Sequence, residues 1–140
     1  MILGEGELRP ALEALARQLG IDADVALLGF RDSPYVYMHR AELFVLSSRF
    51  EGLPNALIQA MAFGTPVVST DCPSGPAEIL ENGRWGRLVP VGDVDALAGA
   101  MQATLTEMQH PDVARRAQDF SLAPGVDAYL RLLLNDSAEP

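Results

Sequence analysis

A set of side chains suited to binding hydroxyl groups lies within residues 47–64, SSRFEGLPNALIQAMAFG. Glu51 comes just before Pro54, and Asn55 and Gln59 follow it, four residues apart. On a helix that opens at Pro54, this spacing puts both amides on one face. Carboxylates accept hydrogen bonds and amides both donate and accept them, so the set suits the hydroxyls of a sugar.

The same segment predicts a place for a diphosphate. The apolar run 43–46 (LFVL) indicates a buried strand, and the helix that opens at Pro54 would present free backbone N–H groups just beyond that strand. Gly52 has no side chain to block the approach of a ligand to this backbone. A glutamate near a helix start commonly compensates the helix dipole, and a glutamine on a helix is commonly solvated. The prediction of a ligand site therefore depends on finding these residues together with the glycine, the proline and the buried strand.

The elements that must position these residues alternate along the chain. Apolar runs predict strands at 1–3, 25–30, 43–46, 66–70 and 87–91. Apolar periodicity and capping residues predict helices at 8–19, 34–40, 54–63, 76–82, 94–108, 112–118 and 124–134. Short apolar strands between helices indicate an α/β fold with a Rossmann-like parallel sheet covered on both faces. Such sheets bind ligands beyond the carboxyl ends of their strands.

Composition limits the class of protein. A chain of 140 residues that is 49% hydrophobic predicts one compact domain, here 1–134, with a frayed tail at 135–140. The net charge of −9 and scattered basic residues argue against nucleic acid as a partner. No apolar run approaches the roughly 20 residues of a transmembrane helix, and no signal-peptide pattern is visible. Cys72 is the single cysteine, which favours a reducing, cytoplasmic setting.

The run from Phe50 through Ile79, FEGLPNALIQAMAFGTPVVSTDCPSGPAEI, resembles the signature of family-4 retaining glycosyltransferases. That family carries an E-x7-E motif, usually inside E-G-x-P-N-x-x-x-E-A-x-A-x-G-x-P-V-V; here Glu51, seven residues and Gln59 stand in its place. The upstream ILGEGELRPALEALARQLGI and VALLGF and the downstream GRLVPVGD also match, so the resemblance covers about residues 2–98. It implies the C-terminal, donor-binding half of a GT-B fold.

The resemblance implies a role for each candidate site residue near the helix that opens at Pro54. Glu51, the residue assigned to the catalytic site, would contact hydroxyls of the donor sugar. The backbone N–H groups of Gly52, Leu53 and Asn55 would hold the distal phosphate. Gln59 would face the ribose hydroxyls.

The resemblance extends these roles to the first 31 residues. Phe30 and Arg31 would lie near the base, and Gly4 and Gly6 would line the floor near the diphosphate. The implied donor is a UDP- or GDP-linked sugar. No cofactor and no metal are expected, since the helix N-terminus and basic side chains neutralise the diphosphate in this family.

Two departures from the family pattern matter. Gln59 replaces the second motif glutamate, so the charge at that position is lost while hydrogen bonding to ribose is retained. The family's domain also normally begins with a strand, a helix and an Arg/Lys pair that precede the present segment, and a separate N-terminal domain holds the acceptor. We therefore expect the donor-binding part of a retaining transferase that moves a hexose or hexosamine to a glycan or lipid-linked acceptor, inactive alone.

The absent strand predicts a structural consequence. Either the strands starting at Ile2 and Leu43 pair directly, or another element closes the sheet, from an acceptor domain or from a second copy in a homodimer. The intact enzyme would be cytoplasmic, with peripheral contact at the inner membrane surface. A non-catalytic nucleotide-binding or self-assembling module is the alternative, and a GT-B nucleotide-sugar epimerase is a third.

Several other residues allow functional interpretations that we do not favour. Gly4 and Gly6 begin a dinucleotide fingerprint whose third glycine position is Arg9, which argues against a nicotinamide role. His39 and His110 are isolated, and two separate histidines make no convincing metal site. The loop containing Cys72, Ser74 and Gly75 is expected to be a turn beside the donor pocket, and Trp85 is expected at a core edge or a domain contact.

Overall fold

A computed structural model of the protein describes residues 1–134. The chain divides into two compact units: the first is Met1–Val36, and the second begins at Tyr37. The frayed tail predicted at 135–140 lies outside the described residues.

The first unit contains the helix α1 (Arg9–Leu19) and two short extended segments. Gly20, with φ 67°, ends α1 by donating its N–H to the last-turn carbonyls. The strands predicted at 1–3 and 25–30 are reduced to isolated bridges. Ile2 pairs with Leu27 in parallel, and Gly4 pairs with Gly29 in the antiparallel sense. Gly4 and Gly29 have positive φ, 114° and 69°, which lies outside the extended region of a regular strand.

The apolar stripe of α1 is exposed in the part of the chain that the structure describes. Leu8, Leu12, Leu15 and Leu19 retain between 41% and 72% of their surface, and Ala16 is the buried residue of the helix. A stripe of leucines at helical spacing therefore predicts the helix correctly, but burial depends on a surface that covers it.

The second unit is built on a parallel sheet of three strands. These are β1 (Phe44–Leu46), β2 (Val67–Thr70) and β3 (Arg87–Val89), in that order across the sheet. All four residues of β2 are buried, so both faces of the central strand are covered. This confirms the predicted α/β fold with a parallel sheet.

Helices connect and cover the strands. After α2 (Tyr35–Arg40) come α3 (Asn55–Ala62), α4 (Pro76–Ile79), α5 (Val94–Thr106), α6 (Val113–Ala117) and α7 (Leu122–Leu133), with a 3-10 turn at Gln118–Phe120. The predicted N-cap of α5 is confirmed, since Asp93 Oδ1 accepts a hydrogen bond from Ala96 N at 2.9 Å. The predicted helix at 94–108 was too long: it ends at Thr106, and Met108 is fully exposed.

The core of the second unit surrounds α3. Leu57, Ala60 and Met61 have no exposed surface, and they pack with Ile79 and Val113. This core fixes the helix that follows β1, and with it the loop that joins them. By contrast, α7 has no buried residue, and among residues 1–134 no helix has the length and apolarity to cross a membrane.

Candidate functional site

The loop between β1 and α3 begins with a hydrogen bond from the neighbouring strand. Thr70, the last residue of β2, is 4% exposed, and its hydroxyl lies 2.5 Å from Ser48 O and 3.4 Å from Leu46 O. A hydroxyl has one proton to donate, so Ser48 O is the favoured acceptor. The end of β2 thus fixes the backbone where β1 turns into the loop.

The side chain of Glu51 is oriented by the same part of the loop. Ser48 Oγ donates a hydrogen bond to Glu51 Oε1 at 2.7 Å, and Glu51 is half-buried. Within residues 1–134 the second carboxylate oxygen, Oε2, has no hydrogen-bond partner. An oriented carboxylate with one free oxygen can accept a hydrogen bond from a ligand hydroxyl.

The far end of the loop rests against the segment that follows β2. Gly75 has φ 88°, and a Cβ added to it would lie 2.7 Å from Gly52 O and would also overlap the Pro54 ring. Backbone and ring atoms cannot move aside as the end of a flexible side chain can. Gly75 is therefore required both by its backbone conformation and by the close approach of the two loops.

Backbone donors without acceptors lie at the start of α3. Pro54 is the N-cap, and its carbonyl accepts from Leu57 N at 2.9 Å. In the described chain, the N–H groups of Gly52, Leu53 and Asn55 donate to no protein acceptor. These are the three donors expected for the distal phosphate, and they stand at the positive end of an eight-residue helix.

The two predicted amides are on α3, as the sequence indicates. Asn55 is exposed and Gln59 is half-buried, and the regular helix puts these residues, four apart, on one face. Neither side chain has a hydrogen-bond partner among residues 1–134. Both amides are therefore free to bind a ligand.

The remaining predicted residues belong to the first unit. Gly4 has φ 114° and donates its N–H to Gly29 O at 2.9 Å, whereas Gly6 O accepts from Arg9 N at 3.1 Å. Phe30 is 75% exposed and Arg31 is also exposed. A Cβ at either Gly4 or Gly6 would meet nothing within 4 Å, so steric space does not demand glycine there.

Arg9 occupies the third glycine position of the incomplete dinucleotide fingerprint, and its side chain makes structural contacts. Arg9 donates to Glu13 Oε1 at 2.9 Å, Glu5 Oε2 at 2.8 Å and Leu27 O at 3.0 Å. The hydrogen bonds to Glu13 and then to Glu5 raise the pKa of Arg9 above its ordinary value. The guanidinium thus joins α1 to the segment that follows it within the first unit.

The other residues considered above are built into the second unit. Cys72 is buried, His39 packs on Phe63 with ring centroids 5.8 Å apart, and His110 Nδ1 lies 3.8 Å from Glu107 Oε2. Trp85 packs on the core under the guanidinium of Arg84. Across residues 1–134 no three His, Cys, Asp or Glu residues are grouped to hold a metal ion.

Two cavities lie at the opposite end of the sheet from these loops. They measure about 280 and 360 Å³, share Pro66, Thr104 and His110, and are lined by none of the predicted site residues. Arg87, which lines one of them, already bonds to Thr104 and Glu107. The unbonded N–H groups of the loop and its oriented carboxylate are instead at the carboxyl ends of the strands, where parallel sheets bind their ligands.

The chain belongs to the group 1 glycosyl transferases, since the model of the family described as "Glycosyl transferases group 1" matches residues 1–107. A lipopolysaccharide core biosynthesis glycosyltransferase of Rhizobium meliloti, LpsE, is 34% identical over 138 residues, which are 94% of this chain and 40% of that protein. The chain spans between 20% and 40% of the length of three curated relatives that it matches.

Solved structures show the same fold. The apo form of the lipopolysaccharide outer core galactosyltransferase WaaB has a TM-score of 0.83 at 26% identity over 96% of this chain and 40% of its own. HepE of Anabaena, solved in complex with UDP, has a TM-score of 0.77 at 23% identity over 95% of this chain and 39% of its own. The resemblance to GT-B glycosyltransferases inferred from the sequence is thereby confirmed.

Three residues that shape the loop were absent from the predicted site. Ser48 and Thr70 hold it through hydrogen bonds, and Gly75 fits against its far end. Ser48 stands three residues before Glu51, a spacing from which a contact could have been suspected. Thr70 could not have been found this way, because the contact depends on which strand lies beside β1.

Proposed function

We propose that the chain forms the donor-binding part of a retaining glycosyltransferase and binds a UDP- or GDP-linked sugar at the carboxyl ends of its strands. The observation that carries this proposal is the loop from β1 to α3, where three unbonded N–H groups follow an oriented carboxylate. Backbone donors at a helix N-terminus match a diphosphate, and a carboxylate matches sugar hydroxyls.

In this proposal each residue of the loop and of α3 meets a different part of the donor. The N–H groups of Gly52, Leu53 and Asn55 bind the distal phosphate, and the helix dipole stabilises the charge that the diphosphate gains as it leaves. Glu51 accepts hydrogen bonds from the sugar through its free oxygen. Gln59 binds the ribose hydroxyls through its amide, without the charge of a glutamate.

Within the first unit, two residues are suited to contacting the base of a nucleotide. Phe30 offers an exposed ring and Arg31 an exposed cation, both suited to contacting a base. Gly4 and Gly6 would leave space for the diphosphate beside them. We further propose that donor binding needs neither metal nor cofactor, because backbone donors and the helix N-terminus supply the compensating charge.

The relatives suggest the setting of the reaction. The names of LpsE and WaaB refer to lipopolysaccharide, so we propose transfer of a hexose or hexosamine to a glycan or lipid-linked acceptor in the cytoplasm, at the inner membrane surface. Residues that bind the acceptor would come from another domain or from a second copy of the chain. The 140 residues would then bind a donor without transferring its sugar.

Calorimetric titration with UDP, GDP and their hexoses and N-acetylhexosamines tests this proposal. Glu51→Ala should weaken binding of the nucleotide sugar about tenfold and leave the free nucleoside diphosphate unchanged, because Glu51 contacts only the sugar. Gln59→Ala should weaken both ligands, since both contain ribose. EDTA should alter neither affinity.

The matched controls are exposed residues of the same types away from the loop. Glu42→Ala and Gln102→Ala should leave both affinities unchanged. If wild-type chain binds no nucleoside diphosphate or nucleotide sugar, the proposal is wrong and a self-assembling module becomes the better interpretation. An equal loss of UDP and UDP-sugar in Glu51→Ala would contradict the role given to that carboxylate.

A further inference from the structure

We infer that Ser48, Thr70 and Gly75 are positioning residues that hold Glu51 and the phosphate-binding N–H groups in their binding geometry. This inference rests on the proposed function, because it concerns the same donor site. None of the three residues needs to touch the donor. Each acts by fixing a different point of the loop between β1 and α3.

The first fixed point is the beginning of the loop. Thr70 is buried at the end of β2, and its hydroxyl donates to Ser48 O at 2.5 Å. The strand register brings Ser69 of β2 opposite Leu46 of β1, so Thr70 reaches one step beyond the last paired residue. This bond extends the pairing of the two strands into the loop and defines where Ser48 stands.

The second fixed point is the side chain of Glu51. Ser48 Oγ donates to Glu51 Oε1 at 2.7 Å, so the residue whose backbone Thr70 holds also holds the carboxylate. The bond occupies one oxygen and leaves the other for a ligand. It also removes rotamer freedom from Glu51 before any sugar arrives, which lowers the entropic cost of binding.

The third fixed point is the end of the loop. Gly75 is buried, and its α-carbon leaves no room for a Cβ beside Gly52 O and Pro54. A side chain at position 75 would push Gly52 away, together with the adjoining N–H groups that would bind phosphate. Gly75 should therefore affect the diphosphate, whereas Ser48 should affect the sugar.

These assignments predict different losses from different substitutions. The probes are the UDP- or GDP-hexose that binds wild-type chain most tightly and the matching nucleoside diphosphate. Ser48→Ala should weaken the nucleotide sugar about tenfold and spare the diphosphate, and Ser48→Thr should restore binding by returning the hydroxyl. Gly75→Ala should weaken both ligands at least tenfold.

A double-mutant cycle tests whether Ser48 acts through Glu51. The variant with both Ser48→Ala and Glu51→Ala should bind the nucleotide sugar no more weakly than Glu51→Ala alone. Fully additive losses would overturn the inference, because Ser48 would then contact the donor or alter the site independently. The adjacent, exposed Ser47→Ala should have no effect.

A matched threonine separates positioning from stability. Thr65 is 3% exposed and donates to Met38 O at 2.7 Å, near the amino end of the same strand. Thr65→Val and Thr70→Val should both lower stability in urea, but only Thr70→Val should weaken the nucleotide sugar, and Thr70→Ser should restore it. Equal affinities in the two valine variants would overturn the role of Thr70.

The glycine variant needs a control for its backbone strain. Gly64 has φ 77°, and a Cβ there would meet nothing within 4 Å. Gly64→Ala also places a side chain at a positive φ and should preserve both affinities. If wild-type chain binds no donor, this inference and the proposed function fail together. If Glu51→Ala behaves as proposed but the Ser48, Thr70 and Gly75 variants bind normally, this inference alone is wrong.

Discussion

The helices α1 and α3 each follow a glycine-containing segment that carries predicted site residues, but their surroundings differ. In α1 only Ala16 is buried, and the leucine stripe remains open to solvent. In α3 the residues Leu57, Ala60 and Met61 have no exposed surface at all. The two helices are similarly regular, so the difference lies in what covers them.

The comparison shows that the local sequence can specify where a helix forms, whereas the contacts that bury and hold the helix depend on residues elsewhere in the fold. The loop before α3 is fixed because the helix is anchored in a core and because the end of β2 bonds to the loop. The segment before α1 is joined to its own unit by isolated bridges and by Arg9. Rigid support favours preorganised binding, so the stronger binding determinants should lie in the second unit.

The largest expected difference between the two helices is in the stability lost when an apolar side chain of each is truncated to alanine. Met61→Ala removes a fully buried side chain and should lower the free energy of unfolding by about 2–5 kcal/mol. Leu15→Ala truncates a side chain that is 48% exposed and should cost about 1 kcal/mol or less. Urea unfolding followed by circular dichroism measures both. Equal losses would show that the α1 stripe is covered in solution, for instance by a second copy.

An intermediate loss of stability is expected when either of two arginines that bond to backbone carbonyls, Arg116 and Arg9, is replaced. Arg116 is 13% exposed and donates to Ile79 O at 2.9 Å and Glu78 O at 2.8 Å, so it holds the end of α4. Arg116→Met should lower the free energy of unfolding by roughly 2 kcal/mol, because two carbonyls lose a charged donor. Arg116 also pairs with Glu81 at 3.3 Å and with Asp119 at 2.9 Å, so urea unfolding at 1 M NaCl should show a slightly smaller loss than at low salt, with most of the loss remaining.

Arg9→Met is the matched test in the first unit. The Arg9 side chain is itself more open to solvent, at 35% exposed against 13% for Arg116, so the loss should be smaller than for Arg116→Met and should decrease more strongly in 1 M NaCl. A loss that exceeds that of Arg116→Met would reverse the comparison. It would mean that the contact with Leu27 O stabilises the first unit more than its exposure suggests.

Much of the second unit could be predicted because its signals are local. Gly64 follows the last turn of α3, Asp93 caps α5, and the apolar runs at 43–46 and 66–70 coincide with β1 and β2. The family resemblance also holds, and it placed Glu51 before the helix. The chemistry proposed for the site therefore rests on short motifs whose meaning does not depend on distant residues.

What could not be predicted depends on contacts between elements far apart in sequence. The run VALLGF predicts a strand, yet its pairing with the first residues of the chain is limited to Leu27 and Gly29. The leucines of α1 predict an apolar face but not whether it is covered. The hydrogen bond from Thr70 to Ser48 joins residues 22 apart, and no periodicity in the sequence indicates it.

The smallest expected effect concerns the helix N-termini. Asp93 caps α5 through its side chain, whereas Leu8, at the N-cap of α1, makes no such hydrogen bond. Asp93→Ala should lower the free energy of unfolding by about 1 kcal/mol, and Asp93→Asn should recover most of the loss because an amide oxygen also caps. Leu8→Ala should change stability by less than about 0.5 kcal/mol, since it removes an exposed side chain and no cap. Urea unfolding of the three variants measures these changes in the free energy of unfolding. A larger loss in Leu8→Ala than in Asp93→Ala would contradict the comparison, because it would require Leu8 to be buried in solution.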